Sequence, residues 1–379
     1  VLSNAGAYVH FPWCVRKCPY CDFNAHPLKS NTDFDQYATA LISDWRAQAT
    51  QLTQSEHQPL FQTVFFGGGT PSLFAAPLMQ TVLRALPLQA NAEVTMEANP
   101  GTTEHMDFAD YRAAGINRLS IGAQSFNDTQ LKKLGRIHIA AETLKAYAQA
   151  RAAGFENINL DIMWGLPQQT LAEALADLRA AIDLTPEHIS WYQLTIEAKT
   201  EFAKRPVLLP VEQTIADIER HGLALLAEAG YQRYEVSAFA KPGSRCQHNL
   251  NYWGFGDYAG IGAGAHGKIS HRHEGALNIL RTRKASQPRL YLAQPEQTIS
   301  EPIAADALVV EFMMNALRLV EGVSWHTFAA HTGLQQAAIS DVWNRLADQG
   351  LVQEAHCAAT ARGMRYLDTV LGEFLTTSN

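Results

Sequence analysis

Three of the five cysteines in this 379-residue chain fall within eight residues. In Trp13-Cys14-Val15-Arg16-Lys17-Cys18-Pro19-Tyr20-Cys21-Asp22-Phe23 their spacing is C-x3-C-x2-C. Three thiolates in one tight loop can hold three irons of a [4Fe–4S] cubane and leave the fourth iron without a protein ligand, open to a substrate. Structural zinc wants four ligands, normally in two pairs, and the next cysteine, Cys246, is more than two hundred residues away. Three buried free thiols on a core strand fit poorly with the Pro, Arg and Lys that lie among them. An odd count with tight clustering argues for a metal site in a reducing compartment and against a disulfide framework.

An open iron of that kind is chelated by the amino and carboxylate groups of S-adenosylmethionine, and other polar residues suit the same ligand. Gly67-Gly68-Gly69-Thr70-Pro71-Ser72 follows an apolar run. Glycines at a strand end let the backbone come close to a ligand, and the absence of a following Gly-Lys-Ser or Gly-Lys-Thr rules out a Walker loop. Gly68, Gly69 and Thr70 read as the site for the methionyl amino group. Glu97, in Met96-Glu97-Ala98-Asn99-Pro100, can accept hydrogen bonds from ribose hydroxyls. Gln124, Arg136 and Asp161 complete the set. Singly, each is an ordinary loop polar group; together, near the ends of successive strands, they mark the face where β/α barrels gather their active groups.

The elements that must position these residues alternate. Strands are expected over Ala7–Phe11, Thr63–Phe66, Val94–Glu97, Arg118–Ile121, Ile158–Met163 and Ile189–Leu194. Helices are expected over Thr32–Ala49, Ala75–Leu86, Thr103–Ala114, Ala140–Ala153 and Leu171–Leu184, with Gly115 and Gly154 placed for left-handed caps. Six strand–helix alternations predict an α/β fold, a partial (β/α)6 barrel, with strands too apolar for a sheet wetted on one side. Residues 1–270 read as this barrel domain, with a glycine-rich loop over Gly254–Gly267. Residues 271–300 read as a polar, basic linker. Residues 301–379 read as a mostly helical, winged-helix-like domain, with helices over Ala304–Leu319, Trp325–His331, Gln335–Gln349 and Gly363–Phe374 and a short wing strand at Leu351-Val352.

Charge narrows the partners. The net charge is −7, and residues 301–379 hold four Arg, no Lys and nine Asp or Glu. Such a domain repels phosphates, so nucleic acid is not an expected partner. No run of 18 apolar residues marks a transmembrane helix, and the first residues carry no secretory signal pattern. The expected location is the cytoplasm.

Read in order, Tyr-Val-His-Phe-Pro-Trp-Cys (8–14), the 67–72 run, Glu-Ala-Asn-Pro (97–100), Gln-Ser-Phe (124–126), Gly-Arg-Ile-His (135–138), Gly-Leu-Pro (165–167), Asn315-Ala316-Leu317-Arg318 and Ala361-Arg362-Gly363 resemble the radical-SAM family of the oxygen-independent coproporphyrinogen III oxidase, and most closely its haem-chaperone (HemW-type) branch. The resemblance implies that Cys14, Cys18 and Cys21 hold the cluster. It also implies that Tyr8, Gly68, Gly69, Thr70, Glu97, Gln124, Arg136 and Asp161 contact S-adenosylmethionine. Two departures count against the oxidase's radical decarboxylation. Phe23 stands where the oxidase continues Cys-x-Cys, and only thirteen residues precede the first cysteine.

Cys246-Gln247-His248-Asn249-Leu250-Asn251-Tyr252-Trp253 resembles the chaperone branch's His-Asn-x-x-Tyr motif, which is implicated in haem binding. His248 can ligate haem iron through a ring nitrogen, with Tyr252, Trp253 and Phe255 offering flat surface. Arg281, Arg283, Lys284 and Arg289 are candidates for pairing with propionates, and His266 is a competing iron ligand. From residue types alone, a loop histidine bonded to backbone and a solvated basic linker explain the same pattern. The resemblance further implies delivery of haem to membrane-bound respiratory apoproteins, with peripheral association at the inner membrane.

Overall fold

The computed structural model describes residues 5–52, 60–101, 107–273 and 276–375. Its centre is a twelve-stranded sheet. The strands in chain order are β1 (Ala5–Phe11), β2 (Phe61–Gly68), β3 (Leu88–Ala98), β4 (Arg118–Gln124), β5 (Ile158–Trp164), β6 (His188–Gln193), β7 (Gln232–Arg233), β8 (Ala238–Ala240), β9 (Tyr258–Ile261), β10 (His266–His273), β11 (Ala276–Arg283) and β12 (Ile299–Pro302). Their spatial order is β12-β11-β10-β9-β1-β2-β3-β4-β5-β6-β8-β7. Strands β9 and β1 to β6 run parallel; the flanking pairs are antiparallel.

The six expected strands are present within a few residues. The helices between them span Phe34–Leu52, Ala76–Ala85, Phe108–Ala114, Ala140–Ala152 and Leu171–Asp183. Residues 103–106 of the third expected helix lie outside the described residues. The glycine-rich tract expected as loop contains a seventh parallel strand, β9, buried along its length and paired with β1.

Both faces of the strands are buried, as expected of strands too apolar for a sheet wetted on one side, and they differ in chemistry. Ala7, Val9, Val64, Phe66, Val94, Met96, Leu119, Ile121, Leu160 and Ile162 face the helices and form the main core. The residues between them, Thr63, Thr95, Arg118, Ser120, Asn159 and His188, are buried and polar and line the concave face, as the period of two requires. The sheet is apolar outside and polar inside.

Residues 271–300 are not a linker. They carry the second arm of the β10–β11 hairpin, the helix Pro288–Ala293 and the start of β12. Three of the four basic residues singled out there are engaged. Arg281 pairs with Glu311 at 2.6 Å and Arg283 with Glu301 at 3.1 Å. Lys284 is fully buried against Asp44. Asp44, on the helix Phe34–Leu52, also accepts from Gly262 N (3.0 Å) and the Tyr291 hydroxyl (2.8 Å), so one buried carboxylate ties the first helix to this segment.

The C-terminal region is helical, with helices Ala305–Ala316, Trp325–Thr332, Ser340–Asp348, Ala361–Arg365 and Leu367–Leu375. The wing is reduced to single bridges, Val352 with Ala359 and Val323 with Cys357. Its core recruits Phe255 and Ile279 from the sheet side. Among the described residues no helix is long and apolar enough to cross a membrane.

Removing one partner of a buried ion pair strands the other charge. Lys284→Met should therefore destabilise the protein by about 3–5 kcal/mol in urea unfolding. A loss below about 1 kcal/mol would mean that the pair behaves as a solvated one.

Candidate functional site

The loop after β1 brings the three cysteines to one end of the parallel strands. Trp13–Cys14 pairs with His26–Pro27 in a two-residue ladder, and Cys21 N donates to Cys18 O at 3.1 Å. The loop is pressed onto the end of β2: Gly69 N donates to Phe11 O (2.7 Å) and Thr70 N to Trp13 O (2.8 Å). A Cβ on Gly69 would stand 2.5 Å from the Trp13 carbonyl oxygen, and one on Gly68, at φ +111°, would meet the His10 ring. The glycines therefore serve the approach of the cysteine loop first. Gly135 does the same from the other side, where a Cβ would lie 2.6 Å from Pro19 Cδ.

Cys14, Cys18 and Cys21 are partly exposed and line one cavity of about 580 Å³. Gly68, Gly69, Thr70, Glu97, Gln124, Arg136 and Asp161 line it too. Of the residues expected to contact S-adenosylmethionine, Tyr8 is absent from the wall. Its ring stacks on Phe65 and its hydroxyl bonds His10 Nδ1 at 2.9 Å. His10 Nε2 is spent on Asn24 O at 2.8 Å, so Nδ1 accepts and the Tyr8 hydroxyl donates.

Each wall residue is held from behind. Glu97 accepts from Gly68 N at 3.1 Å. Asp161 accepts from Ser120 Oγ (2.8 Å) and Asn159 Nδ2 (2.9 Å). Asn159 Oδ1 accepts from His188 Nδ1 at 2.6 Å, and His188 Nε2 meets the Tyr234 hydroxyl at 2.9 Å. Arg136 donates through Nη2 to Asn99 Oδ1 and Gly122 O, both at 2.9 Å, and its Nη1 lies 3.6 Å from Cys18 Sγ. Gln124 ends β4 in a left-handed conformation, φ 64°, and accepts from the Tyr192 hydroxyl at 2.7 Å. The next residues are pinned by Asp177, which accepts from Ser125 Oγ (2.6 Å) and Phe126 N (2.7 Å).

Burial pushes the Glu97 carboxyl up to about 8, helped by the nearby Asp161, while the Gly68 amide opposes the shift. Burial also raises Asp161, against its hydrogen bonds from Ser120 and Asn159. Two half-buried carboxyl groups in one wall favour a cationic ligand. S-Adenosylmethionine carries an ammonium and a sulfonium, so the donor set fits it. The thiols fit a cubane: among the described residues no three His, Cys, Asp or Glu side chains converge on a single ion, whereas a cubane takes one thiolate on each of three irons. The Arg136 guanidinium beside Cys18 offsets part of the resulting negative charge.

His248 is placed elsewhere. It lies on the helix Gln247–Trp253, 2% exposed, on the inner face of the sheet. Its Nδ1 bonds Thr63 Oγ1 at 2.9 Å, its ring stacks on Phe65, and Tyr252 covers it edge-on with centroids 5.0 Å apart. Nε2 is buried with no partner. Asn249 and Trp253, on the same helix, do line the cavity. His266 is exposed. Arg289 stands apart, on a separate surface groove with Lys29 and His26.

Sequence reasoning missed Ser120, Tyr192 and Glu235 in the wall. Ser120 and Tyr192 alternate with apolar residues on expected strands, a period-two signal that could have shown their inward face. Glu235 carried no such signal.

Comparison with known proteins agrees with this geometry. The family model of the radical SAM superfamily matches residues 8–181, and that of the HemN C-terminal domain matches residues 303–366. The heme chaperone HemW of Escherichia coli (strain K12) is 48% identical over 380 residues, covering 99% of both chains. The heme chaperone HemW of Haemophilus influenzae is 45% identical over 381 residues, again covering 99% of both. The solved structure of coproporphyrinogen III oxidase (HemN) from Escherichia coli, a radical SAM enzyme, superposes with a TM-score of 0.80 at 22% identity, over 99% of this chain and 90% of that one; this likeness is one of fold.

Radical-SAM membership implies a [4Fe–4S] cluster and S-adenosylmethionine. Replacing Cys14, Cys18 or Cys21 by Ala should abolish the brown absorbance of anaerobically reconstituted protein. Cys246→Ala and Cys357→Ala, both at buried positions, should leave it intact. Full cluster content in Cys18→Ala would sink the assignment.

The raised Glu97 carboxyl sets a pH dependence. Cofactor-free folded protein holds that proton up to about pH 8, while the ordinary value is 4.5. The folded state therefore binds more protons between those values. Its stabilising contribution is complete below the lower value and is lost as the pH rises through the upper one. Glu97→Gln stays neutral, so it should gain in Tm relative to the parent from about pH 5 to about pH 9. A Tm difference that does not change with pH would show that Glu97 titrates normally.

Proposed function

Because the chain belongs to the HemW family of radical-SAM proteins, we propose that it is a haem chaperone, binding haem and handing it to respiratory apoproteins at the inner face of the membrane. The observation that carries this reading is the full-length likeness to two proteins named heme chaperones. Phe23 adds support. It is 58% exposed, lies in the cavity wall, and occupies the position of the oxidase's further cysteine.

When bound, the cluster and S-adenosylmethionine together supply one-electron cleavage of a sulfonium C–S bond. This chain's residues orient and screen. Cys14, Cys18 and Cys21 hold the cluster, and Arg136 lies beside Cys18. Gly68, Gly69 and Thr70 would hold its methionyl end. Glu97, Gln124 and Asp161 offer hydrogen-bonding groups to the rest of the molecule, with Tyr8 supporting them from the layer beneath.

We assign His248 Nε2 as the haem-iron ligand. Burial, and after it Arg118, pushes the His248 imidazole down to about 3, so it is neutral, the form that ligates iron. In the tautomer in which Nδ1 donates to Thr63 Oγ1, the Nε2 lone pair is left free. Reaching it requires the helix Gln247–Trp253 to move.

His248→Leu should weaken haem binding and shift or remove the Soret band while leaving the cluster absorbance unchanged. His266→Leu should bind as the parent does. The reverse outcome moves the ligand to His266. Protoporphyrinogen formed from coproporphyrinogen III and S-adenosylmethionine by the reduced, reconstituted protein would replace the chaperone reading with the oxidase one.

A further inference from the structure

The helix that carries His248 is held at its two ends by different parts of the molecule. At its start the barrel holds it: Glu93 on β3 accepts from Gln247 N and His248 N, both at 3.1 Å. At its end the barrel still holds it, with Tyr252 packed on Tyr258 at 4.1 Å between centroids and Asn251 Nδ2 donating to Asp257 O at 2.9 Å, and the C-terminal region adds its own contacts. The Arg318 guanidinium lies over the Trp253 ring, 4.4 Å from its centroid. The same guanidinium donates through Nη2 to the buried carboxylate of Glu235 at 3.0 Å. His331 Nδ1 donates to the carbonyl of Gly254, the residue that caps the helix, at 2.8 Å. Phe255 follows in a left-handed conformation, φ 58°, and inserts into the C-terminal core against Phe312. A non-glycine residue holds such a backbone only where its surroundings over-determine it.

The end held in this way is the end that closes off His248. Tyr252 is the residue that covers the imidazole, and it is followed directly by Trp253 and Gly254, the two residues gripped from the C-terminal side. The helix is only seven residues long, too short to be stable without its tertiary contacts. Two buried ring nitrogens of this segment, His248 Nε2 and Trp253 Nε1, have no partner in the seated position. Such groups are a penalty for the closed arrangement, so the contacts at the far end are what offset it.

We propose that the C-terminal domain is a latch on the helix Gln247–Trp253, with Arg318 and His331 as its positioning residues, and that the latch controls access to His248. The importance of that access for haem rests on the ligand assignment made above; the latch itself does not. Releasing Arg318 and His331 frees Trp253 and Gly254, Tyr252 lifts from the imidazole, and Nε2 becomes reachable.

The test uses the full chain and a small imidazole-selective reagent, diethyl pyrocarbonate, with modification of His248 followed by peptide mass spectrometry. Arg318→Ala and, separately, His331→Ala should each raise the modification rate of His248 by about tenfold, as loss of a tether to a locally opening segment requires. Arg318→Lys keeps the charge beside Glu235 but loses the flat stack on Trp253, and should fall between. Amide exchange in the helix Ser340–Asp348 serves as the control for global loosening and should stay as in the parent. Parent-like modification in both alanine variants would overturn the latch, as would faster modification matched by equal loosening of the control helix. Faster modification in a protein whose parent form binds no haem would keep the latch and remove the chaperone reading.

Discussion

Every second residue of the parallel strands points to the concave side of the sheet, where Thr63, Thr95, Arg118, Ser120, Asn159 and His188 are buried. A polar group buried without a partner is expensive, so this face must be satisfied by something that enters it. Most of the molecule can be understood as that supply. Neighbouring strands answer part of the need, in the run from Ser120 through Asp161 and Asn159 to His188 and Tyr234. The helix Gln247–Trp253 answers another part by seating on Glu93 and Thr63. Toward the cysteine end two raised carboxyls, each held from behind, line the cavity that a cationic cofactor fits.

The cysteine loop depends on the same sheet through close approach. Its backbone bonds into the end of β2, and its Pro19 rests on Gly135. Neither contact leaves room for a side chain, so the three thiols are presented by a loop clamped from two directions. Arg136 links the clamp to the chemistry, since one guanidinium reaches Cys18, Asn99 and the Gly122 carbonyl. Cluster loop and cofactor wall are thus one construction.

The C-terminal region joins this construction from below. Its core includes Phe255 and Ile279, its Leu319 bridges to Glu235, and Val320 N donates to Tyr234 O at 3.0 Å. It is an extension of the barrel's floor, and the segment 271–300 is part of the sheet on which it rests.

The local sequence determined a good deal by itself. Cysteine spacing is a short-range property, so the convergence of Cys14, Cys18 and Cys21 on one loop was legible directly. Strand and helix periods placed the six central strands and the helices between them to within a few residues, because those elements bury a whole face. Glu97, Gln124, Arg136 and Asp161 could be placed on one mouth because parallel strands all end on the same side. Tertiary structure decided what depends on partners far along the chain. β9 hides in a glycine-rich tract, since its pairing with β1 joins residues some two hundred and fifty apart. The hairpin β10–β11 is rich in Arg and Lys and reads as solvated until Glu311, Glu301 and Asp44 are brought against it. The Tyr8 hydroxyl meets a lone pair of His10 rather than the cavity, and Thr63, Phe65 and Tyr252 enclose His248. In each case the residue type announced its chemistry, and only the approach of distant segments decided whether that chemistry faces a ligand, another side chain or nothing at all.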